Sequence, residues 1–187
     1  MININDIKVG TTIKLEGDPY AVTEFQHVKP GKGSAFVRTT LKNVRTGRVI
    51  PRTFNAGITV PRAYLDRKMM QFLYQDGEDY YFMDNETYEQ MALTAENLGE
   101  KIKYLQENMD LYVVFFEGQI IGVDFPAQVE LEVVETEASI KGNTASGGTK
   151  PAILETGAKV NVPFFINEGD RLRINTKTGE YIERAKD

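Results

Sequence analysis

The chain has 187 residues, 22 Lys and Arg against 27 Asp and Glu, a single His, and neither Cys nor Trp. Without cysteine there is no disulfide frame, thiol nucleophile or Cys-ligated zinc, and His27 alone cannot build a histidine-rich metal centre, so neither a metal nor any other cofactor is expected. The first residues lack the basic flank and apolar core of a signal peptide. The longest strongly apolar run, Leu111 to Phe116, is far shorter than the ~20 residues that cross a bilayer, and the expectation is a soluble, cytoplasmic protein without a membrane partner.

Taken by thirds, the charge is uneven. Residues 1–64 hold ten basic and four acidic side chains, residues 65–126 hold four and thirteen, and residues 127–187 hold eight and ten. A basic first third inside an acidic chain points to a polyanion at that end, with the acidic middle limiting indiscriminate adhesion.

In chain order, turn residues recur and the stretches between them are rich in Val, Ile, Phe, Tyr and Thr, the pattern of small all-β sandwiches or barrels. In the first third, strands are predicted over Thr12 to Leu15, Tyr20 to Val28, Ser34 to Val44 and Arg48 to Phe54, giving a barrel that ends near Tyr64. Asp66-Arg67-Lys68 reads as a polar junction. The middle third resumes with Met70 to Tyr74 and Tyr80 to Met83. The period then changes: Leu98, Ile102 and Leu105 recur at helical spacing behind Thr94 as N-cap, predicting one main helix from Thr94 through Gln106. Strands Tyr112 to Phe116 and Gln119 to Val123 complete an order that matches the OB plan. The last third reads as a second OB-like barrel from Val129 to Thr136, Lys159 to Val162, Arg171 to Asn175 and Tyr181 to Arg184. The expected fold is therefore three consecutive small β-barrels over residues 1–64, 65–126 and 127–187.

The sharpest local feature is His27-Val28-Lys29-Pro30-Gly31-Lys32-Gly33. Proline fixes one turn position and the glycines allow positive φ, so the flanking strands should form a hairpin with Lys32 at its apex. No carboxylate lies within six residues of Lys32 on either side. The same four-residue turn also serves elsewhere as a plain soluble tip, and the residues by themselves leave both readings open. Lys29 and Arg38 are candidates for phosphate contacts along the hairpin. A second feature is the Gly/Ser/Thr stretch Gly142, Asn143, Thr144, Ser146, Gly147, Gly148 and Thr149, bracketed by Lys141 and Lys150, whose backbone N–H groups and hydroxyls suit phosphates and riboses as well as a simple connection. No carboxylate pair, Ser/His/Asp set or Lys/Tyr dyad has catalytic spacing, and no enzymatic activity is expected.

Together, the Lys-Pro-Gly-Lys-Gly hairpin, the segment Phe82-Met83-Asp84-Asn85-Glu86-Thr87-Tyr88-Glu89, and the stretch from Lys141 to Pro151 resemble bacterial translation elongation factor P. Val162-Pro163-Phe164-Phe165 and Gly179-Glu180-Tyr181 match as well. The resemblance implies an SH3/KOW-like barrel followed by two OB barrels in an L that mimics tRNA. It further implies a monomer that binds the 70S ribosome between the peptidyl and exit tRNA sites and rescues stalling at consecutive prolines. On that footing Lys32, often extended by a lysine-modifying enzyme, reaches the CCA end of peptidyl-tRNA. Arg38, Tyr181 and Arg184 become tRNA-backbone candidates, and the Gly142 to Lys150 loop lies toward the exit-site mRNA codon. Asn143 stands where the family pattern leads one to expect Asp. Two other classes stay in view: a general single-stranded RNA-binding OB-fold protein stacking bases on Tyr80, Tyr81, Phe82 and Tyr112, and an enzyme using a Lys32 Schiff base.

Overall fold

The computed structural model describes residues 1–138 and 148–186. The chain divides into two compact units, residues 1–68 with 113–122, and residues 69–112 with 123–187.

The first unit begins with β1 (Ile2–Asn3), a 3-10 turn at Ile4–Asp6, and β2 (Thr12–Leu15). There follow β3 (Asp18–Val28), β4 (Phe36–Asn43), β5 (Val49–Asn55) and β6 (Thr59–Val60). Strands β2 to β5 form an antiparallel sheet in chain order, and β6 returns to pair with β1. The alternation read from the sequence has its physical counterpart in β4, where Val37, Thr39, Leu41 and Asn43 are buried and Arg38 and Lys42 are exposed. Val37 and Leu41 pack with Ile4, Ile13, Val22 and Phe54. Asn43 fixes the next turn: its Oδ1 accepts from the backbone N–H groups of Arg45 at 2.8 Å and Thr46 at 3.1 Å.

The middle of the chain runs through β7 (Leu65–Asp76), β8 (Asp79–Asp84) and β9 (Gln90–Leu93). After a short helical segment come β10 (Asp110–Phe116) and β11 (Gln119–Asp124), and the sheet order is β11-β10-β7-β8-β9. Asp66-Arg67-Lys68 stands where the division between the two units falls, after residue 68, but it is not a loop. It lies inside β7, where these exposed polar side chains leave the backbone free to pair.

The predicted helix is shorter than its periodicity promised. Only α1 (Ala95–Leu98) is α-helical, and 3-10 turns follow over Gly99–Tyr104. Thr94 does cap it, its hydroxyl accepting from the Asn97 N–H at 3.2 Å while Asn97 Oδ1 accepts from the Thr94 N–H at 3.0 Å. Gly99, at φ 72°, then leaves the right-handed region and ends the α-helical run. Leu98 and Tyr104 are still buried.

The last strands are β12 (Gln128–Thr136), β13 (Thr149–Leu154), β14 (Lys159–Pro163), β15 (Arg171–Asn175) and β16 (Tyr181–Arg184), in the sheet order β14-β13-β12-β15-β16. Val129, Leu131 and Val133 of β12 turn inward and Glu130 and Glu132 outward, which places Leu131, Leu154, Val162, Leu172 and Ile174 in the core. Strand β13 was not expected. Its first residues belong to the stretch read as a connection, yet Thr149, Lys150 and Pro151 pair with Pro163, Val162 and Asn161. Among the described residues the architecture is mostly β, with one short α-helix.

Candidate nucleic-acid interface

The long β3–β4 hairpin presents the first group of candidate residues. Gln26 pairs with Arg38, His27 with Val37 and Val28 with Phe36, the last pair before the tip. Beyond Val22 a register shift interrupts the ladder, and Thr23 to His27 are all exposed. Residues 29–35 form the tip, in which Lys29, Gly31, Lys32 and Gly33 are exposed and Pro30 is half-buried. Gly33 sits at φ +100°, a conformation open to glycine but strained for any side chain. Neither Lys29 nor Lys32 forms an ion pair with a described acid.

Arg38 is exposed on the face of β4 opposite Val37, its guanidinium 5.4 Å from the centre of the Phe36 ring. A shallow depression of about 580 Å³ between β3, β4 and β5 is lined by Phe25, Arg38, Thr40 and Arg52, with Glu24 its one carboxylate. Phe25 meets His27 edge to face at 5.6 Å. Arg52 carries no sequence signal of its own. It joins Arg38 only as part of the lining of this depression, the β4–β5 register pairing it with Thr39 and Arg38 with Thr53, and no local motif marks that.

In the second unit, Tyr181 and Arg184 line another depression, of about 770 Å³, together with Phe165, Asp170 and Arg171. Burial pushes the Tyr181 phenol above its ordinary range, partly opposed by a hydrogen bond and the positive charge from Arg184. Arg184 Nη1 stands 3.8 Å from Asp170 Oδ2, a long contact between an exposed guanidinium and a half-buried carboxylate.

The predicted C-terminal loop divides. Gly142, Asn143, Thr144, Ser146 and Gly147 lie outside the described residues. Thr149 is exposed at the start of β13. Gly148 packs against Phe164, since a Cβ placed there would fall 2.6 Å from the ring. Lys150 differs most from its expected placement: it is buried, and its Nζ donates to the Glu137 carbonyl at 2.5 Å, so the ammonium is directed inward instead of toward a partner.

Among the proposed base-stacking aromatics, Phe82 is fully buried against Phe72, with ring centres 5.3 Å apart, and cannot meet a base. Tyr81 stacks on Tyr74 at 4.9 Å.

The chain matches three family models in succession: the elongation factor P KOW-like domain over residues 3–60, the elongation factor P OB domain over 65–123, and elongation factor P, C-terminal, over 129–184. It is 60% identical over 185 residues to elongation factor P of Pelotomaculum thermopropionicum, covering 99% of this chain and 100% of that protein. The elongation factor P of Moorella thermoacetica gives the same identity and coverage, 60% over 99% and 100%. Among solved structures, the eukaryotic translation initiation factor 5A from Methanococcus jannaschii aligns with a TM-score of 0.53 at 24% identity, over 66% of this chain and 92% of that one, a likeness of fold. With matches running through all three regions and end to end with full-length relatives, the chain belongs to the elongation factor P family.

Proposed function

We propose that this translation elongation factor binds the ribosome between the peptidyl and exit tRNA sites and promotes peptide-bond formation at consecutive prolines. It does so by holding peptidyl-tRNA with the Lys32 tip. One observation carries the reading: Lys32 is exposed at the end of a two-stranded finger, flanked by glycines, with its ammonium committed to no described acid. The arrangement supports positioning and offers no bond chemistry of its own. A solvent-exposed lysine at a hairpin tip has no enclosing pocket in which to hold a carbonyl substrate for covalent catalysis.

Proline is a constrained partner in peptide transfer, and a wandering peptidyl-tRNA makes the reactive geometry rare. Placing reactants in near-attack geometry supplies up to ~7–11 kcal/mol in ideal intramolecular cases, so a small fraction of that relieves a stall. In this reading Arg38 and Arg52 hold phosphates of the acceptor stem, Lys32 adds a cation at its CCA end, and the ribosome remains the catalyst. Extension of Lys32 by a modifying enzyme would lengthen that reach, and intact mass of the protein from its native host reports it. The function is tested in a reconstituted translation system reading a Pro-Pro-Pro template. Lys32→Ala is expected to keep the melting temperature and lose stall relief, and full relief by that variant would overturn the assignment.

A further inference from the structure

Between residues 69 and 126 there are twelve acidic side chains and only two basic ones, Lys101 and Lys103. Both line one cleft of about 210 Å³, and the side of the cleft facing them carries Lys177 and Thr178. Lysines 101 and 103 belong to the 3-10 turns of Gly99–Tyr104, and Lys177 to the turn between β15 and β16. The positive charge of this acidic region is thus gathered at one place and completed from another strand pair.

The cleft is also held in shape. Tyr104 is buried, and its hydroxyl lies 3.1 Å from where a Cβ on Gly179 would stand, so the β15–β16 turn comes close to the phenol at a residue whose φ of +78° favours glycine. Thr156 donates its hydroxyl to the Lys103 carbonyl, and the Gln106 side chain donates to the Glu130 carbonyl at 3.0 Å. On the facing turn, Asn175 Oδ1 accepts from the backbone N–H groups of Lys177 at 2.8 Å and Thr178 at 3.1 Å. These bonds use backbone and neighbouring groups and none of the lysine ammoniums; that of Lys103 lies 5.3 Å from the centre of the Tyr104 ring, a contact that steadies the cation without neutralising it. None of the three forms an ion pair with a described acid, and Glu100 is the one carboxylate lining the cleft. The Thr178 hydroxyl accepts from the Glu180 N–H at 3.3 Å, and its own proton is free to donate.

Three like charges converging on a small cleft repel one another until an anion bridges them. Lysine suits a phosphate oxygen as a compact point charge on an adjustable stem. The acidic side chains elsewhere in the region would keep a polyanion off the rest of that surface. We propose that the Lys101–Lys103–Lys177 cleft binds the phosphodiester backbone of RNA, in addition to the Lys32 hairpin. The choice of RNA as the polyanion rests on the function proposed above.

The test is a titration of the ¹⁵N-labelled full chain with a short RNA duplex at low salt, followed by amide shifts. Shifts are expected at residues 101–104 and 177–179, and they should persist in Lys32→Ala. The combined variant Lys101→Gln, Lys103→Gln, Lys177→Gln should weaken binding about tenfold or more. It should also flatten the plot of log affinity against log salt by about two to three, at roughly 0.7–0.9 for each phosphate that is no longer neutralised. Lys177→Gln alone, in a turn whose backbone bonds do not use that side chain, should give about a third of that change in slope. Parental affinity and slope in the combined variant, or no shifts in the cleft, would overturn the proposal. Equal cleft shifts with heparin at matched charge would overturn the assignment to RNA. Because no ribosome is present, failure of stall relief and failure of this site are read independently.

Discussion

The two glycines beside Lys32 make opposite predictions. Gly33 sits at φ +100°, whereas Gly31 has no positive φ and nothing within 4 Å of where a Cβ would be. For Gly33→Ala the nearest atom to the new methyl is Pro30 Cγ at 3.9 Å, ordinary contact, so the penalty comes from the backbone dihedral alone. A left-handed conformation costs an L-residue about 1–2 kcal/mol. Because the tip is exposed, the chain can escape that strain by changing the local turn without unfolding the sheet. The native tip then becomes a minor state, populated about 5- to 30-fold less relative to its alternatives, since about 1.4 kcal/mol is a factor of ten. A factor competent only in that state needs a correspondingly higher concentration for the same effect. Titrating each variant into a reconstituted translation reaction on a Pro-Pro-Pro template gives the half-saturating concentration. Gly33→Ala should raise it by that factor with little change in melting temperature, while Gly31→Ala should leave it near the parental value. Equal half-saturation for the two variants would refute the claim that the tip is used in the conformation seen here.

Two further outcomes concern the scaffold. Thr94→Ala removes the hydroxyl that caps α1 and should cost about 1 kcal/mol, read as a lowered urea midpoint with unchanged slope. Lys150→Ala should lower stability by about 1–3 kcal/mol, because it deletes a buried stem and the hydrogen bond to the Glu137 carbonyl, while affinity for the RNA duplex stays parental. A loss of RNA affinity without a drop in melting temperature would return Lys150 to the surface role that its sequence position implied.

Strand content was legible wherever one face of a strand is buried, because the alternation that packs Val37 and Leu41 inward and sends Arg38 outward is written in the sequence with period two. The strands over Thr12–Leu15, Arg171–Asn175 and Tyr181–Arg184 have the bounds that the pattern predicts. Helical extent was not legible, since Leu98, Ile102 and Leu105 keep helical spacing while Gly99 changes the backbone beneath them. Strand β13 was hidden because glycine and threonine dominate the residues before it, so that its start at Thr149 reads as part of a connection, although its partner β14 follows directly after residues 155–158. At the candidate interface, the exposed apex could be read locally from Pro30, Gly31 and Gly33. Arg52, Lys177 and the inward turn of Lys150 could not, because each depends on register or on packing between elements distant in sequence.

The β3–β4 finger also behaves as a ruler with coarse graduations. Its strands are paired up to Val28 and Phe36, and each added residue advances a strand by roughly 3.4 Å while turning the next side chain to the opposite face. Lengthening it by one residue on each side would therefore invert the apex, and the smallest increment that preserves its orientation is two per side, roughly 6.8 Å. Finer adjustment of the tip's span is not available to the backbone. It falls to the side chain at position 32, which can be lengthened atom by atom without disturbing a single rung of the ladder below.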